Sequence, residues 1–184
     1  MSKYKNPVPS VDDIAEVKQD VEERNDYDYN KKIFFAFIDV LGFKKVFDDN
    51  REGDKVNDVE FASKFREVFI YYFELMNASH LLEKTGCYAG QTSDSLYFYS
   101  PREDWLMEYI KIFLHFNLFA MSKDVFFRGG VAEGNLFIKN PYQFYGESVI
   151  YSYLLESVIS KYPIVVIDED TYRAIENFPD TKYM

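Results

Sequence analysis

The apolar run at residues 33–40 (IFFAFIDV) constrains the fold more than any other part of this 184-residue chain. A run this short, rich in aromatic and branched side chains, is typical of a strand buried on both faces rather than of a helix. Asp39 is its only charge, and Gly42 ends it. Because an unpaired buried carboxylate is costly, the position of Asp39 predicts a partner for it.

A second aspartate stands at the head of another apolar strand, in residues 92–99 (TSDSLYFY). Alternation along a strand places Asp39 on one face with Phe37, and Asp94 on one face with Leu96. Two carboxylates at neighbouring strand ends form a site for a hard cation such as Mg2+ or Mn2+. Spacing alone also favours local roles, in which Asp39 caps a helix at Phe43 and Asp94 forms an Asx turn.

The turn after the first strand is a candidate phosphate site. Leu41, Gly42, Phe43 and Lys44 lead into a helix predicted over residues 43–49, and the free N–H groups of a helix start favour phosphate. Gly42 lets the backbone approach an anion closely. Lys44 adds positive charge, whereas Lys45 is better explained as part of a solvated helix face.

Arg128 lies inside an aromatic strand, in residues 127–131 (FRGGV). Because arginine keeps its charge, it requires an anion or open water. A phosphate contact would satisfy it bidentately. A salt bridge to a core carboxylate or an edge-strand position would serve equally, and the sequence leaves these alternatives open.

Composition limits the class of protein. The chain is 47% hydrophobic and 19% aromatic with a net charge of −10, which excludes a disordered protein and argues against nucleic-acid or anionic-membrane binding. The single cysteine, Cys87, is predicted to be a small buried residue, and two distant histidines, His80 and His115, make no zinc site. No apolar stretch reaches the length of a membrane span, and residues 1–6 are polar, so we expect a cytoplasmic protein.

The chain divides into a polar N-terminal extension, residues 1–30, with a possible short helix, and a domain at residues 31–184. Within the domain, a loop is predicted at 50–57. We predict strands at 33–40, 125–138 and 164–167, a hairpin at 86–99, and helices at 59–82, 105–122 (capped by Asp104), 146–160 and 168–177. This order predicts an α+β fold of the ferredoxin-like split βαβ type, an antiparallel sheet with helices on one face.

Four motifs together resemble the class III nucleotidyl cyclase catalytic domain, and most closely its bacterial Pycsar pyrimidine (uridylate or cytidylate) cyclases. They occur in the order of that family and span roughly residues 33–168. The motifs are FIDVLGF at 37–43, SDS at 93–95, RGGVAEG at 128–134, and YG at 145–146 followed by LLE at 154–156.

The resemblance implies roles at matching positions. Asp39 and Asp94 would hold two Mg2+ or Mn2+ ions, with the backbone carbonyl of Val40 as a further ligand. Leu41, Gly42, Phe43 and Lys44 would cradle the triphosphate, which Arg128 would contact. The resemblance also implies a homodimer with sites shared across the interface. Gln91 and Gln143 would then lie where such enzymes read the base, and glutamine can both donate to and accept from a uracil or cytosine edge.

The sequence departs from many class III cyclases at two helix positions. Ile150 and Leu154 stand where those enzymes have an asparagine and an arginine that stabilise the transition state, a task neither replacement can perform. The Pycsar-like branch has Leu-Glu at this point, as here in Leu154 to Glu156. Pro163-Ile164 replaces a common Pro-Arg, and the chain is expected to stop short of the last strands of the family.

The resemblance predicts a nucleotide cyclase that converts a ribonucleoside triphosphate, UTP or CTP rather than ATP, to a 3',5'-cyclic nucleotide and pyrophosphate. It also implies an effector that senses the product in antiphage defence. A cyclase-fold module that binds nucleotide without turnover is the first alternative, and an interaction domain without nucleotide is the second. A diguanylate cyclase ranks low because its Gly-Gly-Asp/Glu-Glu-Phe signature is absent from the sequence.

Overall fold

A computed structural model of the chain describes residues 32–45, 51–52, 55–56, 59–84, 86–140 and 143–176. The predicted extension at residues 1–30, residues 46–49 of the predicted helix after Gly42, and the chain end from residue 177 lie outside this described part.

The described strands and helices follow the predicted order. The strands are β1 (Lys32–Val40), β2 (Arg51–Glu52), β3 (Lys55–Val56), β4 (Tyr88–Thr92), β5 (Ser95–Ser100), β6 (Phe127–Asn140), β7 (Gln143–Gly146) and β8 (Val165–Ile167). The helices are α1 (Val59–Ala78), α2 (Glu103–Ser122), α3 (Glu147–Leu154) and α4 (Glu169–Glu176), with a 3-10 turn at Leu81–Glu83 and a π-helical turn at Leu155–Ile159.

One sheet organises the domain, with β1 at its centre. Its strand order is β4-β5-β1-β6-β7, and β8 pairs in parallel with β6. Both neighbours of β1 run antiparallel to it, so Asp39 lies opposite Ser95 of β5 on one side and Arg128 of β6 on the other. This is the predicted split βαβ arrangement, and the predicted fold class is confirmed.

The main core lies between the sheet and the two long helices, α1 and α2. Alternate residues of β1, including Ala36 and Ile38, are fully buried beneath these helices. The aromatic stripe predicted for the first helix packs here through Phe65, Phe69 and Phe73; the side chain of its fourth member, Phe61, lies outside the described residues. The stripe is therefore core packing, as the four-residue spacing predicts.

The opposite face of the sheet carries a smaller aromatic core and the helix α3. Phe35, Tyr97 and Tyr99 stack there, and the ring of Phe37 meets that of Tyr153 on α3 edge to face. The sequence pattern predicts all helices on one face of the sheet. In the structure, α3 instead lies on the face opposite α1 and α2. Small residues along β6 let α3 approach the sheet, which a periodicity argument does not reveal.

Several local features differ from the sequence-based expectations. Arg102 rather than Asp104 precedes the first residue of α2, and Asp104 lies in the first turn, paired with Arg102 at 2.8 Å. Residues 143–146 form a strand that was not predicted, so the helix predicted from residue 146 begins at Glu147. Two short strands interrupt the loop predicted at 50–57. Among the described helices, none is long and apolar enough to cross a membrane.

Cys87 is buried, as its composition-based interpretation predicts, and this makes its thiol a reporter of folding. Its side chain is 8% exposed, and burial raises the pKa of the thiol to about 11. We expect native protein to react with a thiol reagent at mildly alkaline pH roughly 100-fold more slowly than unfolded protein, because less thiolate is present. The rate of colour release from a disulfide reagent, with and without urea, measures this; equal rates would contradict it.

Candidate functional site

Asp39 is the centre of a polar cluster at the end of β1. Its side chain is 21% exposed and lies between the two neighbouring strands. The hydroxyl of Ser95 donates a hydrogen bond to Asp39 Oδ1 at 2.9 Å. Across the other strand pair, Arg128 Nη2 lies 3.9 Å from Asp39 Oδ2. The carboxylate is thus oriented from both sides.

Asp94 lies in the tight turn that joins β4 and β5. The preceding residue, Ser93, has a φ of 56°, in the left-handed region that non-glycine residues rarely adopt. Leu96 packs in the main core, so it is Ser95 rather than Leu96 that shares a face with Asp39. The negative charge of Asp94 helps to raise the pKa of Asp39, which places the two carboxylates within electrostatic reach.

The turn after β1 has room above it. Gly42 has a φ of 78°, and a Cβ added there would meet no atom within 4 Å. The Leu41 N–H donates to the Phe126 carbonyl at 2.8 Å, so this amide is committed within the protein and the turn's contribution to an anion site begins at Gly42. Lys44 and Lys45 are both exposed.

Arg128 is held by the segment that follows α3. Its Nε lies 2.7 Å from Glu156 Oε1, and its Nη1 donates to the Ser160 carbonyl at 3.4 Å. The short contact with Glu156 is an ion pair without the alignment of a hydrogen bond. Glu156 is only 3% exposed and sits in the π-helical turn. Of the alternatives that the sequence leaves open for Arg128, this structure shows the salt bridge to a core carboxylate.

The cluster carries more negative charge than its arginine can neutralise. Among the described residues, Arg128 pairs with two carboxylates, those of Asp39 and Glu156, while the charge of a third, Asp94, acts on Asp39. Burial raises the pKa of Asp39, and the charge of Asp94 adds to the rise, whereas the Ser95 hydroxyl and Arg128 oppose it. Burial likewise raises the pKa of Glu156, opposed by Arg128 and reinforced by Asp39. A bound cation would relieve this repulsion.

The residues present fit a divalent cation of the hard class. Asp39, Asp94 and the Val40 carbonyl offer only oxygen donors, which suit Mg2+ or Mn2+. The described residues include no group of three or more His, Cys, Asp or Glu that would hold a metal ion alone. Two carboxylates with room for waters and phosphates are what Mg2+ uses when it binds together with a nucleotide.

The described hydrogen bonds of the two glutamines predicted to read a base are local and involve neither Asp39 nor Arg128. The Gln91 Nε2 donates to the carbonyl of Ser93 at 2.8 Å, so its amide braces the same hairpin turn that carries Asp94. The Gln143 Oε1 accepts from Asn140 Nδ2 at 3.0 Å, at the start of β7. Both are exposed.

Sequence reasoning predicts no role for Ser95 or Glu156, although they belong to the SDS motif at 93–95 and the LLE motif at 154–156. A signal for Glu156 was present in the polar residues spaced four apart along one helix face. Glu156 is 3% exposed and the serines are fully buried: Ser148, Ser152 and Ser160. The small serines on this face allow the helix to pack closely on Gly130 and Gly134 of β6, and Glu156 is the member of the stripe that pairs with Arg128.

The sequence matches no protein-family model and no curated protein, whereas the structure resembles several solved ones. It is similar to the catalytic core of a rhodopsin-guanylyl cyclase with converted specificity, in complex with ATPαS, at a TM-score of 0.58, with 15% identity over 80% of this chain and 82% of that one. The chain has the fold of a nucleotide cyclase catalytic domain.

Two further cyclase structures give the same result. The guanylate cyclase domain of RhGC from Catenaria anguillulae, in complex with GTP, aligns at a TM-score of 0.55 with 15% identity, covering 80% of this chain and 83% of that one. The monomeric guanylyl cyclase domain of a RhoGC fusion protein from the aquatic fungus Blastocladiella emersonii aligns at 0.55 with 16% identity, covering 79% and 85%.

The cyclase fold here presents an unusual outer surface on α3. Its buried face is polar, whereas its outward face is apolar, the reverse of an ordinary amphipathic helix. Ile150, which is 57% exposed, and Leu154, which is 46% exposed, lie on that outward face. Further exposed apolar residues continue it, namely Tyr151, Tyr153, Val158, Ile159 and Tyr162. We call this set the α3 outer face.

Proposed function

We propose that this protein is a nucleotide cyclase that converts a ribonucleoside triphosphate to a 3',5'-cyclic nucleotide and pyrophosphate. The observation that supports the proposal is the pairing of Asp39 with Arg128 across the central strands, within electrostatic reach of Asp94 and beside the open Gly42 turn, in a chain with the cyclase fold. Carboxylates for a cation and cationic or amide groups for phosphate are the two requirements of phosphoryl transfer.

The reaction forms one bond and breaks another at the same phosphorus. The ribose 3'-oxygen attacks the α-phosphorus, the bond from that phosphorus to the bridging oxygen breaks, and pyrophosphate leaves with the bonding pair. The 3'-hydroxyl proton passes to solvent or a base. Asp39, oriented by Ser95, would hold the reacting end of the triphosphate in line through the cation it shares with Asp94.

Asp39, Asp94 and the Val40 carbonyl would hold Mg2+ or Mn2+, two ions per site. The bound ions would acidify the 3'-hydroxyl and offset charge on the phosphates. The Gly42 turn and Lys44 would bind the outer phosphates, with Arg128 beside them. The Leu41 amide would not bind phosphate, because it donates to the Phe126 carbonyl; Leu41 would serve only as part of the turn backbone.

We favour UTP or CTP as the substrate on the resemblance to pyrimidine cyclases. Gln91 and Gln143 of a second subunit would read the base, because an amide can match the donor and acceptor pattern of either pyrimidine. The same resemblance supports a cytoplasmic role in antiphage defence, in which an effector senses the cyclic product.

A homodimer is part of this proposal, and the α3 outer face supports it. Contiguous exposed apolar side chains on a polar-cored helix are typical of a surface that another chain covers. A second copy packed there would bring its own site groups toward Ile150 and Leu154, the positions that lack polar transition-state residues. The developing charge would then be stabilised by the cations and Arg128 rather than by α3.

We expect Leu154→Glu to weaken dimerisation at least tenfold, because it buries a charge in an apolar contact. Sedimentation velocity over a concentration series measures the dissociation constant. The matched control is Leu118→Glu, an equally apolar residue that is 67% exposed on α2, on the other side of the sheet. If both variants dimerise like the parent, or the parent is monomeric at all concentrations, the proposed interface is wrong.

Product analysis tests the function directly. Purified protein with Mn2+ is incubated with ATP, GTP, CTP and UTP separately, and products are identified by mass spectrometry. A cyclic pyrimidine nucleotide that disappears in Asp39→Asn supports the proposal and names the base. A cyclic purine would retain the cyclase and overturn the pyrimidine preference. Nucleotide binding without product from any of the four would favour the alternative, a cyclase-fold module that senses nucleotide without turnover.

A further inference from the structure

We propose that Glu156 is a positioning residue that holds Arg128 away from Asp39 and so keeps the aspartate site available to a divalent cation. The inference rests on the proposed function, because it assumes that Asp39 and Asp94 bind the cation. It assigns a task to a buried glutamate that does not itself touch the reacting atoms.

The distances show which carboxylate holds the arginine. Arg128 Nε is 2.7 Å from Glu156, and its Nη1 donates to the Ser160 carbonyl, whereas its nearest approach to Asp39 is 3.9 Å. Two contacts from the segment after α3 therefore outweigh one loose contact from β1. The cross-strand register places Arg128 directly opposite Asp39, so a direct pair between them would form if Glu156 released the guanidinium.

The charge balance explains why such a pair would matter. With Asp39, Asp94 and Glu156 ionised and Arg128 charged, the cluster carries a net charge of two negatives. Neutralising Glu156 reduces this to one and frees the arginine to compete with a cation for Asp39. Both effects weaken cation binding, and both act over a few ångströms in a partly desolvated site, where charge interactions are strong.

A π-helical turn and a glycine beneath it position this ion pair. Glu156 lies in a π-helical turn, a feature often found at functional sites. Gly130, two residues beyond Arg128, lies directly beneath this turn, where a Cβ would come within 2.5 Å of Leu155 Cβ. The close approach brings the buried carboxylate of Glu156 to Arg128, whose other described partners are the Ser160 carbonyl and, more distantly, Asp39.

Mn2+ binding without nucleotide tests the inference, read from the electron paramagnetic resonance signal of free Mn2+. We expect Glu156→Gln to raise the Mn2+ dissociation constant about tenfold or more. Glu147→Gln is the matched control, because it removes the same charge from an exposed position at the start of α3, where Glu147 bonds Asn135. It should bind Mn2+ like the parent.

A double variant separates positioning from a general loss of structure. Replacing both Arg128 and Glu156 by Met restores the net charge of two negatives and removes the competing guanidinium, so Mn2+ binding should return to within about threefold of the parent. Triphosphate binding should stay weak, since Arg128 is gone. Arg128→Met should bind Mn2+ at least as tightly as the parent. If Glu156→Gln does not fold, the Mn2+ dissociation constants of Arg128→Met and of the double variant test the inference instead.

The outcomes distinguish this inference from the proposed function. If the parent binds Mn2+ and Glu156→Gln binds it equally well, Glu156 does not position Arg128 and only the inference fails. A double variant that binds as poorly as Glu156→Gln would also overturn it. If the parent binds no Mn2+ and forms no product, the proposed function fails, and the inference falls with it.

Discussion

Asp39→Asn is expected to abolish cyclic-nucleotide formation, with a loss of at least about 1000-fold in rate, while the protein stays folded. The substitution keeps the shape of the side chain and a hydrogen-bonding oxygen for Ser95, and removes only the charge that a cation requires. Cation contributions of several kcal/mol to the transition state correspond to losses of this size. Initial rates of product formation with saturating Mn2+ measure it.

The same substitution should stabilise the protein in the absence of metal. Burial and Asp94 raise the pKa of Asp39, so the ionised form is less favourable in the folded state than in the unfolded chain. We expect the melting temperature in chelator to rise by about 1–3 °C. Glu74→Gln, an exposed change in the middle of α1, is the control and should alter neither quantity. A metal-free Asp39→Asn that melts below the parent would mean that the charge is not repelled in this cluster.

Gly130→Ala is expected to lower the free energy of unfolding by about 3 kcal/mol or more. A Cβ at this position would lie 2.2 Å from the Ser152 carbonyl oxygen and 2.5 Å from Leu155 Cβ. The first of these is backbone and cannot rotate away, so α3 and the π-helical turn must move off β6. The movement would also separate Glu156 from Arg128. Urea unfolding at fixed protein concentration gives the free energy of unfolding.

Gly42→Ala is the informative comparison, because the two glycines are required for different reasons. Nothing lies within 4 Å of a Cβ at Gly42, but its φ of 78° is strained for any side chain. Its cost should be about 1–2 kcal/mol, from backbone conformation alone. If Gly130→Ala costs no more than Gly42→Ala, the close packing of α3 on β6 is not as described.

The strands and long helices of this domain follow from local patterns in the chain. The aromatic run that becomes β1, the hairpin of β4 and β5, and the Phe stripe of α1 are each predicted by hydrophobic periodicity. Their order alone predicts the split βαβ sheet, because few topologies accommodate it. Local pattern predicts the ends of elements less well. The residue before α2 is Arg102, whose side chain makes no capping hydrogen bond, and β7 was not predicted.

By itself, the sequence determined the fold class, and it singled out the two aspartates as candidates because a charge in an apolar run requires a partner. Only the tertiary structure decided what surrounds them. The pairing of Arg128 with Glu156 joins residues 28 apart through a close approach at Gly130, and the Ser95 hydrogen bond joins residues 56 apart through strand register. Such contacts depend on how elements pack in space, whereas periodicity reports only which face of each element is buried.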